Sequence, residues 1–308
     1  MATTTSVTTT YAGEAAGRFV SAALLSADTI EGGGVTIKPN VKFKEVLKTM
    51  NLDAITKDAT CDFSDTSTLT LAESILEVKQ LQVNLELCKS DFEDDWYAAE
   101  MGFSAHDNLP ATFSDYLIGY VASKVAAKNE TNIWQGAVGN AGEFDGFTTL
   151  AAANAAVIDV TGTSVTAANV ITELGKVVDA IPASLYGKED LYIYVSQHIA
   201  RAYVRALGGF GASGLGANGV AAQGTTWYNG GDLAFDGVKL FVASGLPTND
   251  MIAAQKSNLY FGTSILADWQ EVKLLDMSDL DGSKNVRVIM RMAAGCQIGI
   301  GADVVYYT

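Results

Sequence analysis

The chain has 308 residues, 48% of them hydrophobic and 18% charged, with 12 Phe, 12 Tyr and 4 Trp. That is apolar surface enough for one large domain or two modest ones, and it excludes a disordered chain. Its 35 acidic against 20 basic residues leave a net charge of −15, which speaks against sequence-specific binding of a phosphate backbone. No apolar run reaches the roughly 20 residues of a bilayer span, so no membrane partner is expected. Met1 to Thr10 lack the basic and apolar regions of a secretory signal. Cys61, Cys88 and Cys296 show neither CxxC spacing nor a nearby His; reduced thiols of a cytosolic protein fit better than a zinc site or a disulfide framework.

Residues 1–35 are rich in Thr, Ala, Gly and Ser and end in Glu31-Gly32-Gly33-Gly34, which reads as an extended arm and a flexible joint. Phe43, Val46, Leu47 and Met50 follow at i, i+3, i+4 and i+7, predicting a short amphipathic helix. Leu81, Val83, Leu85 and Leu87 alternate with polar residues and predict a strand with one buried face. With an earlier extended piece at Ala59 to Phe63, this suggests one long hairpin from Ile55 to about Lys89. Helical spacing returns at Asp91, with four acids in the first turn where they match the helix dipole. A longer helix runs from Asp115 to about Trp134 and stops in the glycine-punctuated loop Gly136 to Gly146.

The second half alternates. Val170 to Ile181 carries a helical stripe ended by Pro182, Leu191 to Val195 is an apolar run of buried-strand length, and Ile199, Tyr203 and Leu207 stripe a following helix. After a glycine-rich loop, Gly208 to Gly219, strands are predicted at Leu240 to Ala243, Leu259 to Phe261, Val272 to Leu275, Val286 to Met292 and Val304 to Tyr307. The class is α+β with a mixed or antiparallel sheet.

Chemistry-bearing motifs are weak throughout. Gly209 to Gly214 satisfies G-x-G-x-x-G, but a helix precedes it where a dinucleotide site needs a strand. Asp276, Asp279 and Asp281 before Gly282 resemble a calcium loop, yet Val288 stands where the bidentate Glu belongs; a hairpin turn with solvated carboxylates is the expectation. His106 has only the adjacent Asp107 to orient it, and His198, at a helix start, reads as a capping or packing residue. Neither has a nucleophile motif to serve. No catalytic, cofactor-binding or metal-binding residue is assigned, and no cofactor is expected.

The order of pieces is more informative. A long helix runs into Asn129-Glu130-Thr131-Asn132-Ile133-Trp134-Gln135-Gly136 and on to Phe144-Asp145-Gly146-Phe147. Then come the strand-helix pair Leu191 to Leu207, Asp236-Gly237-Val238-Lys239-Leu240-Phe241-Val242 with Leu246-Pro247, and Asn258-Leu259-Tyr260-Phe261-Gly262-Thr263. In this order they resemble the major capsid proteins of tailed double-stranded DNA bacteriophages, the Hong Kong 97 fold. The resemblance implies an N-terminal arm at 1–35, an extended loop (E-loop) at 36–90, a peripheral domain with a long spine helix at 91–150 and 285–308, and an axial α/β domain at 151–284. It implies a structural protein, not an enzyme, forming hexamers and pentamers of an icosahedral shell in the virion, assembled in the host bacterial cytoplasm. The partners implied are further copies of the chain, a separate scaffolding protein, the portal, decoration proteins and packaged double-stranded DNA contacted without sequence preference. A surface-layer or adhesin-like protein and a cytosolic enzyme are the competing classes.

Three expectations attach to residues. Between residues 38 and 57 five lysines, Lys42, Lys44 and Lys48 among them, stand against two acids; this patch is expected to meet an acidic neighbour. Leu81, Val83, Leu85 and Leu87 lack a sequence-adjacent partner layer and are expected at a subunit contact. Cys61 and Cys88 lie on opposite arms of the expected hairpin and could pair if the register sets them opposite.

Overall fold

The computed structural model describes residues 28–52, 56–59, 61, 69–88, 111–207, 233–264 and 272–308. After one helical turn at Asp28–Glu31, strands β1 (Thr36–Lys38), β2 (Lys44–Leu52), β3 (Leu69–Glu77) and β4 (Lys79–Cys88) precede helices α1 (Ala111–Gln135) and α2 (Phe147–Ala153). Strand β5 (Ile158–Val160), α3 (Val170–Asp179), β6 (Leu191–Val195) and α4 (Gln197–Leu207) follow. The rest is β7 (Ala234–Phe235), β8 (Val238–Val242), β9 (Met251–Gln255), β10 (Leu259–Thr263), β11 (Val272–Asp276), β12 (Asn285–Ile298) and β13 (Val305–Tyr307).

Strand β12 organises the first sheet. Its 14 residues pair with β4 along one edge and with β11 and then β10 along the other, and β1 adds in parallel to β10. Alternation along β12 puts Val286, Val288 and Met290 inside and Arg287 outside. The inner face packs on α1 through Ile118, Val121 and Val125. With 25 residues, α1 is about 37 Å long at 1.5 Å per residue, a rigid beam under the sheet.

The second sheet runs β5-β13-β9-β6-β8-β7. The continuous apolar run of β6 serves both of its faces: Leu191, Ile193 and Val195 meet α3 and α4, whereas Tyr194 joins the core around Trp134. Strands β2 and β3 pair only with each other as a two-stranded ribbon.

Several expectations are corrected. The segment after Pro39 is strand β2, not a helix: Lys44, Val46, Lys48 and Met50 also follow period two, and pairing with β3 supplies the ladder that decides between the readings. The hairpin is therefore β2–β3, and β4 leaves it to join the main sheet over ten register pairs with β12, from Asn285↔Cys88 to Ala294↔Lys79. Sheet membership also crosses residue 284, since β10 and β11 pair with β12 while β13 lies in the second sheet. Asp276 is buried and accepts from the backbone N–H and hydroxyl of Ser278, so it holds the turn rather than facing solvent. The helix expected from Asp91, the loop from Gly208 to Gly219 and His106 lie outside the described residues.

Candidate functional site

Register builds the ribbon's two faces. One face sets Lys44, Val46, Lys48 and Met50 opposite Glu77, Ile75, Glu73 and Leu71, so charge meets opposite charge and apolar meets apolar. Lys44 Nζ lies 2.9 Å from Glu77. Val46 is 45% exposed, Ile75 50%, Met50 66% and Leu71 68%, two exposed apolar pairs on either side of the Lys48–Glu73 pair.

The other face anchors the root. Leu47 and Leu76 bury against Val41, Val78 and Ala293, and Ser74 Oγ donates to the Gly299 carbonyl at 2.8 Å. Glycine is required beneath them: a Cβ at Gly295 would stand 2.1 Å from the Glu77 carbonyl oxygen. Beyond the root, a groove of about 490 Å³, lined by Glu45, Thr49, Asn258 and Tyr260 among others, separates ribbon and body. The ribbon is thus held at its base by one face and stands exposed on the other.

A second surface lies between β4 and α1. Leu81, Val83 and Leu85 form one wall, Val121 and Val125 the other, and Lys124 and Lys128 stand at the rim of a cleft of about 440 Å³. Leu81 is buried, and Val83, Leu85 and Leu87 pack against the chain's own core. The expectation that these four residues lack a partner layer is corrected; β12 and α1 supply it, because β4 is a sheet strand and not a hairpin arm.

The end of α1 carries the junction. Trp134 is fully buried between Phe147 and Tyr194, with ring centroids at 5.5 and 5.2 Å. Its Nε1 donates to Thr29 Oγ1 at 2.7 Å, and Thr29 donates from its hydroxyl and its backbone N–H to buried Glu130 at 2.5 and 3.1 Å. Tyr194 donates to the Gly34 carbonyl. Thr29 and Gly34 are therefore clamped to helix and sheet together. In the loop after α1, Glu143 accepts from Lys128, Asn140 and the Ala137 N–H, which hold its carboxyl at about 2. Glycine is again forced: a Cβ at Gly146 would lie 2.6 Å from the carbonyl oxygens of Asn132 and Trp134.

The lysine patch is divided. Lys44 pairs with Glu77 and Lys38 with Glu45, Lys48 stands opposite Glu73, and exposed Lys42 lines a separate groove with Lys273 and Arg291. Cys88 is in register with Asn285, and exposed Cys61 belongs to the connection between β2 and β3. The two thiols are not opposed, so the register that a Cys61–Cys88 bond would require is not formed, and neither is in a disulfide. His198 is exposed, and Ser196 Oγ, not the imidazole, accepts from the Ile199 N–H at 3.4 Å. Sequence reasoning missed Val46, Met50, Leu71 and Ile75 as the exposed face; the alternation Leu69, Leu71, Glu73, Ile75 was the available signal. Among the described residues no group of three or more His, Cys, Asp and Glu is placed to hold a metal, and no helix is long and apolar enough to cross a membrane.

No protein-family model and no curated protein sequence matches the chain. Solved structures do. The capsid of the native GTA particle aligns at a TM-score of 0.59 and 14% identity, covering 92% of this chain and 89% of that one. The capsid of Myoviridae phage XM1 gives 0.54 and 11%, covering 91% of each chain. The procapsid of satellite phage P4 with its size determination (Sid) protein gives 0.51 and 10%, covering 91% and 96%. The chain has a phage capsid fold. At this identity the likeness lies in the backbone path.

Proposed function

We propose that this protein is a major capsid protein, whose hexamers and pentamers close an icosahedral head shell around a phage genome. The observation that carries the reading is the ribbon: on a capsid-type fold, its outer face exposes Val46, Met50, Leu71 and Ile75. A neighbouring subunit is the natural cover. Each such side chain contributes roughly 1.5–3 kcal/mol when fully buried, before the costs of association are subtracted. Lys44 and Lys48 interleave with these residues and set the ribbon's register on the neighbour. The cleft at Leu81, Val83 and Leu85 gives this apolar strand a place beside the contact, not in its centre.

The role is structural and not enzymatic, and the site of action is the virion shell, built in the host cytoplasm. Partners are other copies of the chain, a separate scaffolding protein, the portal, decoration proteins and packaged double-stranded DNA held without sequence readout. The P4 procapsid, which includes a size determination protein, supports an assembly partner of the scaffolding kind.

The test replaces Lys48 to Glu73 by a short Gly-Ser turn, keeping the root residues Leu47, Ser74 and Leu76. Negative-stain microscopy should show shells or rings for the intact chain and none for the trimmed one, which should stay soluble and melt cooperatively. Shells from the trimmed chain would sink the reading.

A further inference from the structure

We propose that the outward face of the ribbon is self-complementary and takes the same face of a second copy's ribbon, the two related by a two-fold axis that runs along the strands. The proposal rests on the capsid reading, which supplies the second copy, and it names the surface that covers the ribbon.

The sorting of residues between the two strands carries it. The outward pairs are Lys44↔Glu77, Val46↔Ile75, Lys48↔Glu73 and Met50↔Leu71, with β2 supplying the first member of each and β3 the second. All eight residues are exposed. Both cations therefore stand on β2 and both anions on β3, and each charged level is followed by a level that is apolar on both strands.

Symmetry then decides how two such faces can meet. A two-fold axis lying across the strands sets each strand over its own copy. Because β2 shows no acid on this face, its lysines would then meet only lysines or apolar side chains. An axis along the strands keeps every level and exchanges the strands. Lys44 comes over Glu77 of the second copy, Val46 over Ile75, Lys48 over Glu73 and Met50 over Leu71. Each charged level becomes four charges of alternating sign, and each apolar level stacks on an apolar level. The contact is isologous, with the same patch used by both copies.

Any other cover would have to repeat charge and apolar pairs every two residues, about 7 Å. The outward face of β4 and β12 does not: Arg287 stands opposite Glu86, but Ile289 stands opposite Asn84 and Arg291 opposite Gln82. The ribbon itself has the required spacing. Its face is about 20 Å long and 10 Å wide, so each copy buries roughly 200 Å², a quarter of the roughly 800 Å² per partner of a stable interface. Ribbons therefore join where other shell contacts already hold two copies together, and free subunits do not dimerise through them.

Charge exchange in full-length chains tests this. One variant carries Lys48→Glu, a second Glu73→Lys, and a third both changes. The first gathers four acids at the central level and the second four bases, and each alone should lose at least about tenfold in sedimenting particles. The third restores alternation and should assemble like the unmodified chain. An equimolar mixture of the first two should also recover particles, because the acidic level of one copy meets the basic level of the other. That recovery cannot come from repair within a chain, since each chain keeps its like-charged pair. Near-ultraviolet circular dichroism confirms that each variant is folded. The proposal is overturned if either single variant assembles alone like the unmodified chain, or if the third variant does not assemble. It is equally overturned if the mixture stays unassembled, which would assign the ribbon's cover to a different surface of the neighbour. An unmodified chain that forms no shells removes the capsid reading and this contact with it, a result distinct from all of these.

Discussion

Trp134 joins three parts of the molecule through one side chain: its ring packs on α2 and β6, and its N–H holds Thr29. Trp134→Ala should cost about 3–5 kcal/mol of subunit stability, read from urea unfolding, and should loosen the arm's root. Glu143 acts by charge. Its carboxyl is held at about 2 against an ordinary value of 4.5, so the folded state binds a proton less readily than the unfolded one. The stability it contributes is complete above about pH 4.5 and is lost as pH falls toward 2. Glu143→Gln should flatten the fall in melting temperature over that window. At Glu173 burial pushes the pKa up, but hydrogen bonds from Lys176, Tyr307 and Thr163 outweigh it and hold the carboxylate below its usual range. The thiols should separate by accessibility: Cys61 reacts at once with a thiol reagent, and buried Cys296 reacts only on unfolding. Fewer than three reactive thiols in unfolded, aged protein would reveal a bond that the register does not provide.

Among elements, β4 and the ribbon divide the work of stability and assembly. Leu81 is 7% exposed and Met50 66%, although both sit on alternating strands of similar length. Leu81→Ala should therefore cost the free subunit about 2–5 kcal/mol, whereas Met50→Ala or Leu71→Ala should stay within about 0.5 kcal/mol and instead reduce shell yield. Hydrogen exchange offers an independent measure. Amides of β4 should be protected in free subunits and shells alike, and those at the distal end of β2 and β3 only in shells. Equal protection of the ribbon in both states would place its cover inside its own subunit.

For the whole molecule, the balance of charge predicts how assembly responds to salt. The subunit is acidic overall, yet Lys42, Lys273 and Arg291 line one groove. Raising salt weakens both the general repulsion and the local attraction, because exposed charges are screened beyond about 8 Å at physiological ionic strength. Closed shells need specific contacts in fixed geometry, so the local attraction should govern the rate. Light scattering should show slower assembly at high salt, and the Lys42→Glu, Arg291→Glu variant should lose that dependence.

Helices α1, α3 and α4, strand β6 and the fold class were legible because each is a local pattern with one dominant period, whereas α2 and the buried strand β9 were not read. The stripe of α3, the apolar run of β6 and the glycine stop after α1 would read the same in any context. Period alone could not decide the segment from Phe43 to Met50, which fits a helical stripe and an alternating strand equally well; the ladder to β3, some 25 residues away, settles it. Nor could it tell which strand β4 would join. An alternating apolar face reads alike on a free hairpin and on a sheet edge, and only its ten pairs with β12, about 200 residues later, turn Leu81, Val83, Leu85 and Leu87 inward. The groove that Lys42, Lys273 and Arg291 line is hidden for the same reason, since the first of them lies more than 200 residues before the other two. Sequence by itself determined the elements whose hydrogen bonds and apolar contacts close within a few residues. Tertiary structure alone decided which faces those elements leave exposed, because burial depends on partners that the chain brings together from far apart.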